Sequence, residues 1–245
     1  MIYVMSDIHG HYKWFKDMLS LINFNDDDHL YILGDVLDKG EDSVTLLNEV
    51  LEDDRMTLLL GNHEWMFLNH NNSMEDYTIW IELNGGDETL IQLRDNKVDI
   101  EQLKKEIEKL PIQLFIEVNN QKYCLTHAKP IFKEYVEGKK VLYLEDVDKN
   151  DIESAVWSRL FSYISDYHIP MLNNNYLEEG VNLIIGHTPV WSCDYMIPET
   201  EEQGNKIAYL YDGRIINIDC GCAHGSMLGC LRLDDMKEFY IEGDN

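Results

Sequence analysis

The sequence predicts an α/β fold in which two mixed β-sheets pack as a sandwich with helices on the outer faces. Three observations predict it. Short apolar runs alternate with amphipathic helical patterns through residue 70, the signature of a parallel sheet with right-handed crossovers. Residues 74 to 110 then read as helical throughout. After Pro111 the pattern turns to paired strands, several of them joined by turn-forming residues.

Each element has its own signal. Ile2 to Met5 is an apolar run and the first strand; Phe15, Met18, Leu19 and Ile22 follow at helical spacing. Leu30 to Leu33 is the second strand, and Val44, Leu47 and Leu51 mark the next helix. Met56 to Leu60 is the third strand, and another helix starts at Glu64. Tyr77, Trp80, Ile81 and Asn84 line one helix face that Gly85-Gly86 ends; Ile100, Leu103, Ile107 and Leu110 line a later one, stopped at Pro111. Ile112 to Val118 and Lys122 to Thr126 flank Asn119-Asn120-Gln121 as a hairpin. Further strands are expected at Leu183 to Ile185, Ile207 to Tyr211, Arg214 to Ile218, Met227 to Leu233 and Phe239 to Ile241, with Asp212-Gly213 as a turn. No linker or repeat divides the chain, so residues 1 to 245 are expected to form one domain.

Polar residues gather where strands end, the place where α/β sheets bind ligands. Ser6-Asp7-Ile8-His9-Gly10 follows the first strand, Gly34-Asp35-Val36-Leu37-Asp38-Lys39-Gly40 the second and Gly61-Asn62-His63-Glu64 the third. His127 follows the strand ending at Thr126, and Gly186-His187-Thr188 the strand ending at Ile185. Asp7 and Asp35 are 28 residues apart (35 − 7), and Asp35 and Asn62 are 27 apart (62 − 35), each gap suiting one crossover unit. Taken singly, each Asp reads as a helix cap and each His as a hydrogen-bonded loop residue. Five strand ends carrying Asp, His and Asn together read as a metal-ligand set, with oxygen and imidazole donors suited to manganese, iron, zinc or nickel.

Composition limits the function. A formal net charge of −26 over 245 residues opposes binding to nucleic acid or anionic membranes. No basic region precedes the apolar run Ile2 to Met5, and no stretch approaches a membrane span, so a cytoplasmic location is expected. The five cysteines, Cys124, Cys193, Cys220, Cys222 and Cys230, lack the spacing of a disulfide framework; Cys220-Gly221-Cys222 reads as small buried residues on a strand.

These motifs resemble the signature of the calcineurin-like metallophosphoesterases, and within them the phosphoprotein phosphatase family. Asn84-Gly85-Gly86, His127-Ala128-Lys129-Pro130, Trp157-Ser158-Arg159 and Gly186-His187-Thr188-Pro189 extend the likeness over nearly the whole chain. The resemblance implies two divalent ions, manganese first with iron, zinc or nickel as alternatives. One would be held by Asp7, His9 and Asp35, the other by Asp35, Asn62, His127 and His187. It also implies a metal-bridging water as nucleophile, His63 as general acid, Asp38 as the carboxylate that orients it, and Arg159, Lys39 and Asn62 as phosphate-binding residues. Ser6 stands where the family usually has Gly, a departure expected to matter little, and Lys39 where it usually has Arg.

The expected activity is hydrolysis of phosphomonoesters, with a phosphorylated protein, peptide or small molecule as substrate. Dinucleoside tetraphosphate hydrolysis is the alternative within the superfamily; Asp38, Glu64 and Thr188 side with the phosphatases. A metal-binding interaction module without activity is the reading from a different class, and the presence of every ligand and of the acid argues against it.

Overall fold

A computed structural model describes residues 1–131, 139–159, 179–192 and 204–243. The first three strands, β1 (Ile2–Met5), β2 (His29–Ile32) and β3 (Met56–Leu58), pair in parallel, with α1 (Tyr12–Leu21) and α2 (Ser43–Glu52) as the crossovers. β3 is two residues shorter than expected, although the Leu59 N–H still bonds to the Ile32 carbonyl at 2.8 Å.

Four helices follow: α3 (Asn62–Asn69), α4 (Met74–Ile81), α5 (Gly86–Asp95) and α6 (Ile100–Ile107). Ser73 and Asp99 cap α4 and α6 by accepting the N–H groups of Asp76 and Gln102. Asn84 lies beyond α4 rather than on its face, and its side-chain amide donates to the Ile79 carbonyl. Gly85 at φ 82° makes the left-handed turn from which α5 starts.

The predicted hairpin is β4 (Gln113–Val118) with β5 (Gln121–Thr126). The short β6 (Val141–Leu142) and α7 (Lys149–Trp157) come next and were not expected from the sequence. β7 (Val181–Ile185), β8 (Ala208–Leu210), β9 (Ile215–Asn217), β10 (Met227–Arg232) and β11 (Lys237–Glu242) complete the described chain. Cys220 and Cys222 are buried as expected but lie past the end of β9, with Cys222 opening a 3-10 turn. Cys193 lies outside the described residues.

Both sheets are mixed. One runs β11-β10-β1-β2-β3, the other β6-β4-β5-β7-β9-β8. β10 joins β1 antiparallel, and β5, β7 and β9 are parallel between antiparallel neighbours. The sheets meet face to face. Val4, Leu33, Leu59 and Leu231 from the first pack with Leu114, Leu125, Ile184 and Ile216 from the second. The other face of the first sheet, with Tyr3, Met5, Leu30 and Ile32, packs against Phe15 and Met18 of α1 and Val44, Leu47 and Val50 of α2. Each such side chain contributes about 1.5–3 kcal/mol by leaving water. Burying both faces of β1 and β2 fixes their register, and so fixes where the loops after Met5 and Ile32 emerge.

Candidate metal centre

Five loops converge at the carboxyl ends of β1, β2, β3, β5 and β7. The first two are tied by backbone bonds from the Asp7, His9 and Gly10 N–H groups to the carbonyls of Gly34, Asp35 and Val36, at 3.2, 2.9 and 2.9 Å. The Gly186 N–H bonds to the His127 carbonyl at 2.8 Å and joins the last two. Six of the ten expected site residues have left-handed backbones: Asp7, His9, Asp35, Asp38, Lys39 and His187, with φ between 47° and 68°. Such strain costs on the order of 1–3 kcal/mol per residue and concentrates at functional sites. Gly186 is required because a Cβ there would strike the Ser6 hydroxyl and the Asp7 carboxylate.

Three imidazoles are held so that one nitrogen of each looks into the site. His9 Nδ1–H donates to the Leu37 carbonyl at 3.0 Å and His127 Nδ1–H to the Leu33 carbonyl at 2.6 Å. His187 is turned the other way, with Nε2–H on the Trp157 carbonyl at 3.2 Å. A carbonyl only accepts, so the inward nitrogens, His9 Nε2, His127 Nε2 and His187 Nδ1, are unprotonated in the neutral ring and carry a lone pair. Burial, with His63 and Lys39 adding to it, holds His9 well below the usual imidazole range; burial, then His127 and Arg159, does the same to His187. Neutral imidazole is the ligating form.

Asp35 lies between two groups of donors. Its Oδ2 is 3.5 Å from His9 Nε2 and 3.9 Å from His63 Nε2, and its Oδ1 is 3.5 Å from His127 Nε2. On the Oδ1 side, Asn62 Oδ1 is 2.9 Å from both His127 Nε2 and His187 Nδ1, which are 3.2 Å apart. On the Oδ2 side, His9 Nε2 is 4.0 Å from Asp7 Oδ1. Two metal-sized clusters follow: His9, Asp35 and His63, and Asp35, His127 and His187. All of these residues are buried. The second cluster brings together three of the four residues expected at one ion, and the fourth, Asn62, lies beside His127 and His187. The first contains His63 in place of Asp7, so His63 is placed either to ligate or to deliver a proton.

The donor chemistry fits cations. Burial pushes the Asp35 carboxyl well above the usual carboxylate range, and Asp7 adds to the effect. Asp219, buried beyond β9, is raised in the same way by burial and by Asp7. A cluster of buried carboxylates and neutral imidazoles is electrostatically incomplete until positive charge enters.

His63 Nδ1 is 2.6 Å from Asp38 Oδ2. Asp38 also accepts from Trp80 Nε1 at 2.8 Å and from the Thr89 hydroxyl at 2.5 Å, and all four side chains are buried. Lys39 is exposed on the loop, and its charge is felt at His9, Asp219 and His224. The charge of Arg159 is felt at His187 and His224.

Some site partners were not read from the sequence. The Ser6 hydroxyl donates directly to Asp7 Oδ2, which also accepts the His187 N–H at 2.9 Å, so the Gly-to-Ser departure touches an expected ligand. Trp80 and Thr89 are 42 and 51 residues from Asp38 in the chain, and no local pattern links them. Asp219 sits at a sixth strand end, a position the sequence pattern does display.

Comparison with known proteins identifies the family. The calcineurin-like phosphoesterase family matches residues 1–226. The serine/threonine-protein phosphatase 2 of Salmonella typhimurium (strain LT2) is 30% identical over 159 residues, 64% of this chain and 67% of that one. The symmetrical bis(5'-nucleosyl)-tetraphosphatase of Nitrosomonas europaea is 39% identical over 64 residues, 25% of this chain and 24% of that one. Among solved structures, a metallophosphoesterase from Sphaerobacter thermophilus superposes over 99% of this chain and 89% of its own, with TM-score 0.54 and 16% identity. That likeness supports the fold. The chain belongs to the calcineurin-like phosphoesterase family and is a hydrolytic enzyme acting on phosphorylated substrates. The family works with a dinuclear divalent metal centre, and the two clusters around Asp35 are its candidate ligands here. No helix among the described residues is long and apolar enough to cross a membrane.

Proposed function

We propose that this phosphoesterase is a protein phosphatase that removes phosphate from phosphoserine or phosphothreonine, with phosphotyrosine as a further substrate of the same type. The observation that carries the reading is the buried His63–Asp38 pair, 2.6 Å apart. A serine or threonine alkoxide is a poor leaving group and needs a proton as its bond to phosphorus breaks. A nucleoside polyphosphate leaves as a stable anion and needs none. A carboxylate-oriented imidazole beside the metal clusters therefore suits an alkyl phosphomonoester. The match to the Salmonella phosphatase, over 64% of the chain, supports the same reading. The tetraphosphatase relatives favour a dinucleoside polyphosphate as the second reading.

In this proposal Asp7, His9 and Asp35 would hold one divalent ion, and Asp35, Asn62, His127 and His187 would hold the other, with manganese first among the metals. When bound, the ions acidify water and neutralise the phosphoryl oxygens. The chain's own groups do the rest. His63 gives its proton to the leaving oxygen. Asp38, fixed by Trp80 and Thr89, keeps that imidazole aimed. Lys39, Arg159 and Asn62 bind the phosphate.

The test is a panel of phosphopeptides, an aryl phosphate and diadenosine tetraphosphate, run on metal-stripped enzyme repleted in turn with manganese, iron, zinc and nickel. Phosphopeptide kcat/KM is expected to exceed that for the dinucleotide. A preference of about tenfold or more for the dinucleotide reverses the reading.

Lys39 provides a second test. An ammonium attracts the phosphate dianion without the two-pronged geometry of a guanidinium. Lys39→Ala is expected to cost about 1.5–3 kcal/mol in kcat/KM, the usual value of a hydrogen bond to a charged group. Lys39→Arg is expected to keep or raise activity. Unchanged kcat/KM and unchanged inhibition by inorganic phosphate in Lys39→Ala, with both lost in Arg159→Ala, would assign the phosphate to Arg159 alone.

A further inference from the structure

Glu64 is fully buried at the start of α3, and its charge is felt at Asp35. Its carboxylate accepts four backbone N–H groups. Oε2 takes those of Asp35 at 2.8 Å and Gly61 at 3.1 Å; Oε1 takes those of Val36 at 2.9 Å and Leu37 at 3.1 Å. Three of the four belong to one turn, the turn that holds Asp35 at φ 56°. An α3 backbone group completes the grip, since the His63 N–H donates to Asp35 Oδ1 at 3.0 Å. The contact is close: a Cβ on Gly61 would lie 2.8 Å from Glu64 Oε2 and would strike Asp35 Oδ1.

We propose that Glu64 is a positioning residue that presets the carboxylate of Asp35 between the two metal clusters. The inference rests on the ligand assignment proposed above for Asp35. The turn at residues 35–37 is a concave row of N–H dipoles, and an anion seated in it stabilises a left-handed backbone that Asp would otherwise leave. Bonds from N–H to an ionised acceptor are stronger than neutral ones, and four of them converge on one side chain. The same side chain grips Gly61, so the loop bearing Asp35 and the helix start bearing Asn62 and His63 move as one body. Asp35 Oδ1 and Oδ2 are thereby aimed at different clusters before any ion arrives, which is the preorganisation a bridging ligand needs.

Glutamine cannot replace this group. Its amide offers one acceptor oxygen, and its NH2 must face either the Asp35 and Gly61 N–H groups or those of Val36 and Leu37. Displacement of a reacting group by about 1 Å costs on the order of 10²-fold. Glu64→Gln is therefore expected to lower kcat by about 10²-fold at saturating manganese, with KM for a phosphopeptide changed by less than about threefold. Glu64→Asp keeps an acceptor-only carboxylate but is one methylene short, so a smaller loss of about tenfold is expected. Melting temperature and bound manganese are measured on the same samples. A residue that only stabilises the fold would lower the melting temperature and leave kcat per metal-loaded molecule within about threefold; that result overturns the proposal. Should the glutamine variant fail to fold, the aspartate variant decides by the same criterion. Asp35→Asn run in parallel separates the two claims. If it keeps two ions per chain, the ligand assignment fails; if it loses them while Glu64→Gln keeps its kcat, only the positioning role fails.

Discussion

His63→Asn is expected to leave two divalent ions bound per chain and to lower kcat on phosphoserine peptides by about 10²–10⁴-fold, the range for loss of a general acid. The geometry motivates a competing result. His63 Nε2 is 3.9 Å from Asp35 Oδ2, and the ring stands edge-on to His9 with centroids 4.5 Å apart, close enough for His63 to be a ligand itself. The bond to Asp38, itself held by Trp80 and Thr89, aims the ring for the proposed acid role, and a carboxylate on Nδ1 would equally orient a metal-ligating imidazole. Two readouts separate these roles. Elemental analysis of the variant shows whether an ion is lost. Comparison of aryl with alkyl phosphates shows whether the defect scales with leaving-group basicity, since a nitrophenolate departs with little help. An acid role predicts that the loss shrinks sharply on the aryl substrate. Loss of one ion, or an equal defect on both substrates, would overturn it.

The parts of this site that were legible in the sequence are those that depend on chain order. A polar residue just past a strand end is a local pattern, and Asp7, Asp35, Asn62, His127 and His187 each sit at one, three of them directly after a Gly. The parallel order β1-β2-β3 followed from the alternation of period 2 and period 3.6, so those ends could be placed side by side. The supporting contacts were not legible, because they depend on tertiary approach. Thr89 reaches Asp38 only once α5 folds back over the loop, and Gly186 comes up against the neighbouring Ser6 and Asp7 side chains only because it has no Cβ. Glu64 left a trace. It is the third helical residue after Gly61, where a Glu reaches back to the N-cap N–H, and it does so at 3.1 Å. Its further reach to residues 35–37 has no sequence signal. α7 escaped notice because its buried residues, Ile152, Ala155 and Val156, make a narrow stripe, with a weakly apolar Ala in it. β6 is two residues long and, among the described residues, pairs only with β4, too short to display a period.

Asp35→Asn is expected to abolish activity and, unlike His63→Asn, to do so by removing metal. Each oxygen of Asp35 faces a different cluster, His9 on one side and His127 on the other. An amide has one oxygen and one donor NH2, so the substitution presents a hydrogen to one of two imidazole lone pairs and deletes the charge that would serve both ions. The metal-free protein should respond with the opposite sign. Burial holds the Asp35 carboxyl well above the usual range, so ionised Asp35 opposes folding when no cation is present. The asparagine keeps an oxygen for the His63 N–H and carries no charge to bury. In chelator, the variant is therefore expected to melt at or above the wild-type temperature. On adding manganese at about 100 times its dissociation constant, the wild type should gain about 2.7 kcal/mol for a single site. For a chain of this length that is a rise of about 5–10 °C, and the variant should show less than half of it. Melting curves with and without manganese, together with metal content after gel filtration, make the measurement. An asparagine variant that retains two ions and turns over, or that melts well below wild type in chelator, would show that Asp35 is not the group around which the centre is built.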